Sequence, residues 1–151
     1  MGFGRTLRAV SGTVLVGALV FVSAPSASAD QVREDQWALK AFDAGAIWKI
    51  SKGEGVTVAV IDDGVEAHHI DLEGNVVQGK DFIDGGSTAP NAGDTHGTAM
   101  ASIIAGHGHG AGDASGVMGL APKAKILDIR DHGGDNDGLA GSIRYAVDHG
   151  A

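Results

Sequence analysis

Six consecutive β-branched or apolar residues, Val56-Thr57-Val58-Ala59-Val60-Ile61, constrain the fold of this chain more than any other feature. A strand with one wet face alternates polar and apolar residues. A run without alternation calls for cover on both faces, the situation of a parallel strand in an α/β sheet. Gly53, Gly55 and Gly64 bound the run and keep it too short for an ordinary helix. Weaker strands are predicted over Val76–Phe82 and Ala124–Ile129. Helical spacing lies between and after them. Met100, Ile103 and Ile104 mark a helix over Gly97–Ala105, closed by Gly106, which puts His96 at its N-terminus. Leu139, Ile143, Ala146 and Val147 mark a last helix, with Asp135 or Asp137 as N-cap and Gly150 beyond its end. The order β, β, α, β, α predicts a mostly parallel sheet with right-handed crossovers, and a further strand is expected after the last helix.

Upstream, Trp37, Ala41, Ala44 and Trp48 recur at helical spacing within Asp35–Ile50, which predicts one helix with both tryptophans in the core. Gly/Asp/Ser-rich stretches at Gly85–Asp94, Gly106–Gly116 and His132–Gly138 read as surface loops. The first 29 residues read as a signal peptide: Arg5 and Arg8, the apolar run Val14–Val22, and a small-residue cleavage site at Ala27-Ser28-Ala29. Cleavage is expected before Asp30, which sends residues 30–151 out of the cytoplasm as a secreted or cell-envelope protein; the alternative is an uncleaved membrane anchor. Any other membrane association is expected only through a segment beyond Ala151.

Chemistry is bounded by what the chain lacks. Among its 151 residues there is no Cys, which removes disulfides, thiolate zinc sites and a thiol nucleophile together. Lys+Arg total 11 against Asp+Glu 19, for a net charge of −8, and this argues against nucleic acid as a partner, because phosphate-backbone binding needs clustered cations. Asp62, at the carboxyl end of the first strand, needs a compensating partner if buried, and that edge of an α/β sheet is where sites form. A His at a helix start is a suitable partner, since the carboxylate holds one ring proton and leaves the other nitrogen free as a base. Asp62 with His96 and two unrelated polar residues both remain open on these grounds.

The segment VTVAVIDDGV (Val56–Val65) resembles the aspartate block of subtilisin-like serine proteases. THGTAMASIIAG (Thr95–Gly106) resembles their histidine block, with His96 34 positions after Asp62, and GVMGLAPKAKIL (Gly116–Leu127) resembles the stretch leading into their next strand. The opening DQWALKAFDAGAIWKISKGEGV (Asp35–Val56) is similar to the mycosin branch, serine proteases associated with type VII secretion. The resemblance implies a parallel-sheet subtilisin-like fold of which residues 30–151 are the N-terminal portion. It implies hydrolysis of a peptide or protein substrate, with Asp62 orienting the imidazole and His96 as general base. Gly133 and Gly134 fall where the family pairs an extended substrate strand; a plain flexible turn is the competing reading. No organic cofactor and no metal is implied.

Two departures stand out. Asp63 replaces the family's usual Thr or Ser and sets a second carboxylate beside Asp62, where it is expected either to raise a proton affinity or to point to solvent. The serine block, a Gly-Thr-Ser-Met-Ala type motif, does not occur in the 151 residues; Gly97-Thr98-Ala99-Met100-Ala101 mimics it but belongs to the histidine block. The chain by itself is therefore expected to cleave no peptide, and the edge of its first strand is expected to lie open. Two other readings are a catalytically silent module binding extended peptides, and a metal-binding extracellular protein using His107, His109, Asp113, His132, Asp135 and Asp137. Against the latter, Asp135-Asn136-Asp137-Gly138 lacks the remaining ligands of a calcium loop.

Overall fold

The computed structural model describes the backbone of residues 27–133 and 136–151, and all side chains in these ranges except those of 27–30, 136 and 137. The leader stretch 1–26, Gly134 and Asp135 lie outside the described residues. In chain order the elements are helices α1 (Ala27–Asp35), α2 (Trp37–Ala41) and α3 (Ala44–Ile47), strands β1 (Thr57–Asp62) and β2 (Val76–Asp81), helix α4 (His96–Ala105), strands β3 (His107–His109), β4 (Ser115–Met118) and β5 (Lys125–Arg130), and helix α5 (Asn136–Asp148).

β1, β5 and β2 form a parallel sheet in that order, with Thr57 opposite Lys125 through Asp62 opposite Arg130. The central strand is β5, buried from Ile126 to Arg130. One side of the sheet packs Val60, Ile126, Val65 and Leu72 against Ala101 and Ala105 of α4; the other packs Leu127, Ile129, Ala59 and Ile61 against Ala146 and Tyr145 of α5. Cover on two faces is what the uniform apolar run requires. Yet β1 is an edge strand here: only Val60 is buried, because β5 is its one neighbour among the described residues. Its open edge agrees with the expectation drawn from the resemblance. Toward the sheet α4 presents Gly97, Ala101, Ser102 and Ala105, so small residues set the approach; Met100 and Ile104 flank it, and Ile103 is exposed.

Three expectations need correction. Asp35–Ile50 is not one helix, because Asp43 adopts φ 49° between α2 and α3. Trp37 is 75% exposed and Trp48 half-buried, its Nε1 donating to the Leu120 carbonyl at 2.9 Å, so of the predicted stripe only Ala44 enters the core. This segment is a strap held by backbone recognition. Arg33 donates to the carbonyls of Gly116, Asp113 and Ser115, and Gln36 pairs with both the amide and the carbonyl of Met118. Second, the loop predicted over Gly106–Gly116 contains β3 and the start of β4, an antiparallel pair. Buried Asp71 organises it by accepting the Val117 amide at 2.9 Å and the His109 ring at 2.6 Å. Third, the loop predicted over His132–Gly138 is cut short by α5, which begins at Asn136; of the two N-cap candidates Asp137 falls inside the helix and Asp135 lies outside the described residues. No helix among the described residues is long and apolar enough to cross a membrane.

Asp128, at the centre of β5, is 1% exposed, and its Oδ1 has no hydrogen-bond partner among the described residues. Burial pushes its carboxyl up to about 6 despite hydrogen bonds from the Thr88 side chain and the Val65 backbone, and the charge of Asp63 adds to the rise. A carboxyl whose folded pKa lies above its unfolded value makes the folded state gain stability as pH falls through that value. Asp128→Asn removes the charge, so its stability relative to the parent should be about 2 kcal/mol more favourable at pH 8 than at pH 4.5, measured by denaturant melts. A second expectation concerns association. The β1 edge is open, and Leu139, Ile143 and Val147 of α5 are exposed, two features that favour association. Light scattering should show mass rising with protein concentration, and Ile143→Lys with Val147→Glu should reduce it while helical circular dichroism is unchanged.

Candidate active site

β1 ends on Asp62 and α4 starts on His96, and the packing of α4 on the sheet brings these ends together. Both Asp62 carboxylate oxygens lie 2.8–2.9 Å from His96 Nδ1. A carboxylate accepts only, so Nδ1 carries the proton and Nε2 is the free, basic nitrogen. The His96 side chain is 68% exposed, which leaves Nε2 open to an incoming group. The hydrogen bond and charge of Asp62 raise the imidazole pKa above its ordinary 6.5, with a smaller contribution from the charge of Asp63. For Asp62 burial pulls upward, but the Asp63 amide, at 2.8 Å, and the His96 ring outweigh it and hold the carboxyl below the usual range.

Asp63 does not point to solvent. One of its oxygens accepts the Gly97 amide at 2.7 Å and the other the His96 amide at 3.3 Å, so it caps α4 from a neighbouring element. The expected rise in Asp62 proton affinity does not occur, because the second carboxylate is spent on helix amides while Asp62 keeps its own donors.

A cleft of about 340 Å³ opens beside the pair, lined by Ile61, Asp62, Asp63, His96, Asp131, His132, Gly133 and Leu139. Gly133 therefore shares the cleft with Asp62 and His96, at φ 62° and with open space where a side chain would stand. Gly134, its predicted companion, lies outside the described residues. Sequence reasoning missed Asp131. Its amide donates to the Asp62 carbonyl at 2.9 Å, its carboxylate accepts the Gly133 amide at 2.9 Å and the Ser142 hydroxyl, and it thus joins β1, the cleft loop and α5. The Asp131–Ser142 spacing carries no local periodicity that would have flagged it. A larger recess of about 630 Å³ lies along Thr95, Thr98, Ser102 and Ile103 and includes neither Asp62 nor His96.

Of the residues weighed for metal binding, Asp135 and the side chain of Asp137 lie outside the described residues, and the histidines each have their own surroundings. His107 bonds the carbonyls of Gly108 and Glu73, His109 pairs with Asp71, and His132 stands in the cleft beside His96. No group of three His, Cys, Asp or Glu side chains converges among the described residues.

A base whose folded pKa is raised adds stability that is fully present below its unfolded pKa and is lost as pH rises through the folded one. Asp62→Asn should move the His96 titration, followed by imidazole proton NMR, down toward 6.5 and shrink that pH-dependent share of stability. An unmoved titration would contradict the pairing.

Comparison with known proteins bears on the whole arrangement. Residues 53–151 match the subtilase family, peptidase S8. The chain is 40% identical over 120 residues to thermitase of Thermoactinomyces vulgaris, covering 77% of this chain and 42% of the relative. Among solved structures it is similar to MycP1 with its N-terminal propeptide removed, at TM-score 0.65 and 33% identity over 76% of this chain and 36% of that one. It is also similar to the MycP3 protease of the ESX-3 type VII secretion system, at TM-score 0.63 and 31% identity over 75% of this chain and 34% of that one. The chain thus spans between about a third and two fifths of the length of such relatives. By its sequence blocks, its parallel sheet and these matches, the chain belongs to the subtilase family of subtilisin-like serine proteases.

Proposed function

We propose that this chain is the N-terminal portion of the catalytic domain of an exported serine endopeptidase, with Asp62 and His96 as two members of an Asp-His-Ser triad. The observation that carries the reading is the contact of both Asp62 oxygens with Nδ1 of His96, which leaves Nε2 free on an open cleft. In the reaction Nε2 takes the proton of a serine hydroxyl supplied by sequence beyond residue 151. The hydroxyl oxygen attacks the peptide carbonyl carbon, and Asp62 stabilises the imidazolium that results. His96 then returns the proton to the leaving amine, and water releases the acyl group by the same relay. None of these steps needs a metal or an organic cofactor. Gly133 leaves the cleft wall low enough for an extended substrate backbone, in keeping with strand addition. Export rests on the leader pattern of residues 1–29, and a cell-envelope location is consistent with the likeness to proteases of type VII secretion.

The test begins with the coding sequence past codon 151, where a strand followed by a Gly-Thr-Ser-Met-Ala block is expected. The polypeptide from that longer frame should label with a fluorophosphonate probe and cleave a chromogenic peptide. His96→Ala should lower turnover on the order of a millionfold, the size of effect known for subtilisin, and the 151-residue chain alone should stay unlabelled. A stop codon at that point would overturn the proposal in favour of a non-catalytic binding module, and labelling and turnover indifferent to His96 would overturn the role given to the Asp62–His96 pair.

A further inference from the structure

We propose that Asp63 is a positioning residue for His96, holding the first turn of α4 against the end of β1 so that the imidazole ring of His96 stays on Asp62. The role assigned to the ring rests on the function proposed above; the placement of Asp63 does not.

The argument starts from what the Asp62–His96 contact cannot do by itself. The ring is largely exposed, and a water-screened pair at a surface fixes a side chain weakly. The backbone beneath it must be held by something else. Thr95, the residue preceding α4, makes no side-chain cap bond, so the orphan amides of the first turn need another acceptor. Asp63 supplies it from β1's end, one carboxylate oxygen on each of the His96 and Gly97 amides. The fit is close: a Cβ on Gly97 would stand 2.9 Å from Asp63 Oδ1 and 2.4 Å from the Gly64 carbonyl oxygen. Thr98 adds a third tie, its hydroxyl accepting the Glu66 amide at 2.9 Å. Residues 62–66 therefore hold 96–98 by ring, backbone and side chain at once. Swinging His96 away from Asp62 by turning or fraying α4 would also break the Asp63 bonds. A negative charge at a helix N-terminus is also favourable in itself, and an acceptor there is worth more as a carboxylate than as a hydroxyl. That is the physical gain of Asp at a position where the family usually carries Thr or Ser.

Charge and position separate experimentally. Of the titratable groups lining the cleft with His96, which are Asp62, Asp63, Asp131 and His132, only Asp63 bonds its backbone amide. Asp63→Asn loses the charge but keeps an acceptor oxygen for the Gly97 amide, whereas Asp63→Ala loses both. Measured on the full 151-residue chain, Asp63→Ala should speed hydrogen exchange at the His96 and Gly97 amides about tenfold. It should also drop the His96 pKa further than Asp63→Asn does, and Asp63→Ser should restore most of the exchange protection. If Asp63→Ala and Asp63→Asn lower the pKa equally with exchange unchanged, Asp63 acts only through its charge and the proposal fails. Should Asp63→Ala not fold, the parent decides: its Gly97 amide proton shift should titrate with a carboxyl group at acid pH, and an amide shift flat across that range would overturn the assignment. None of these readings requires proteolysis, so failure of the serine-protease proposal, seen by probe labelling, is distinguishable from failure of this one.

Discussion

The close approach of two glycines underlies the geometry of this chain. At Gly64, where φ is 108°, an added Cβ would meet the Thr88 carbonyl oxygen at 2.3 Å, and at Gly97 it would meet the Gly64 carbonyl oxygen at 2.4 Å. With no side chain at either position, the end of β1, the start of α4 and the loop before α4 share one tight junction. A substituent at Gly97 would push α4 off the strand end, and one at Gly64 would push away the loop that leads to α4, in either case by more than a hydrogen bond tolerates. The contact between Asp62 and His96 is a consequence of that junction as much as of the attraction between the two side chains.

Around the junction three carboxylates are handled in three ways. Asp62 is kept ionised by an amide and a ring N–H, Asp63 is committed to helix amides, and Asp128 lies buried with one oxygen unpaired and a carboxyl pushed up to about 6. The difference is one of donors, since a buried carboxylate is tolerated where N–H groups converge on it and disfavoured where they do not. Asp81 shows the first case again. Burial opposes its charge, but the amides of Ile83, Asp84 and Gly86 together with the Arg130 guanidinium keep its carboxyl below the ordinary range. This pair anchors the segment that follows β2 to the same central strand that carries Asp128. The loop leading to His96 is thus tied to β5 at both Asp81–Arg130 and Thr88–Asp128.

Much of this was legible in the chain. The unbroken apolar run of β1 and the helical spacing after His96 each report a local preference, and both elements form within a residue or two of their expected spans. The resemblance of the blocks at Asp62 and His96 pointed to the pair that the sheet brings together. Elsewhere periodicity misled. Trp37 and Trp48 share a helical stripe, but Asp43 in the left-handed region breaks the helix, and Arg33 and Gln36 bind the strap to backbone atoms of the β3–β4 pair, roughly 80 residues on. His107 and His109 looked like metal ligands in a loop and are instead strand residues bonded to Glu73 and Asp71.

What the sequence determined by itself is the set of elements and the kind of chemistry open to the chain, because composition, turn residues and side-chain period act over a few neighbours. What only the tertiary structure decided is which partner each polar group takes. Asp63 could have faced water, and Asp131 could have been any loop residue. The packing of α4 and α5 on the sheet turned the first into a helix cap and the second into a junction of three segments, since hydrogen-bond partners are chosen among groups far apart in the chain, and no local pattern records that choice.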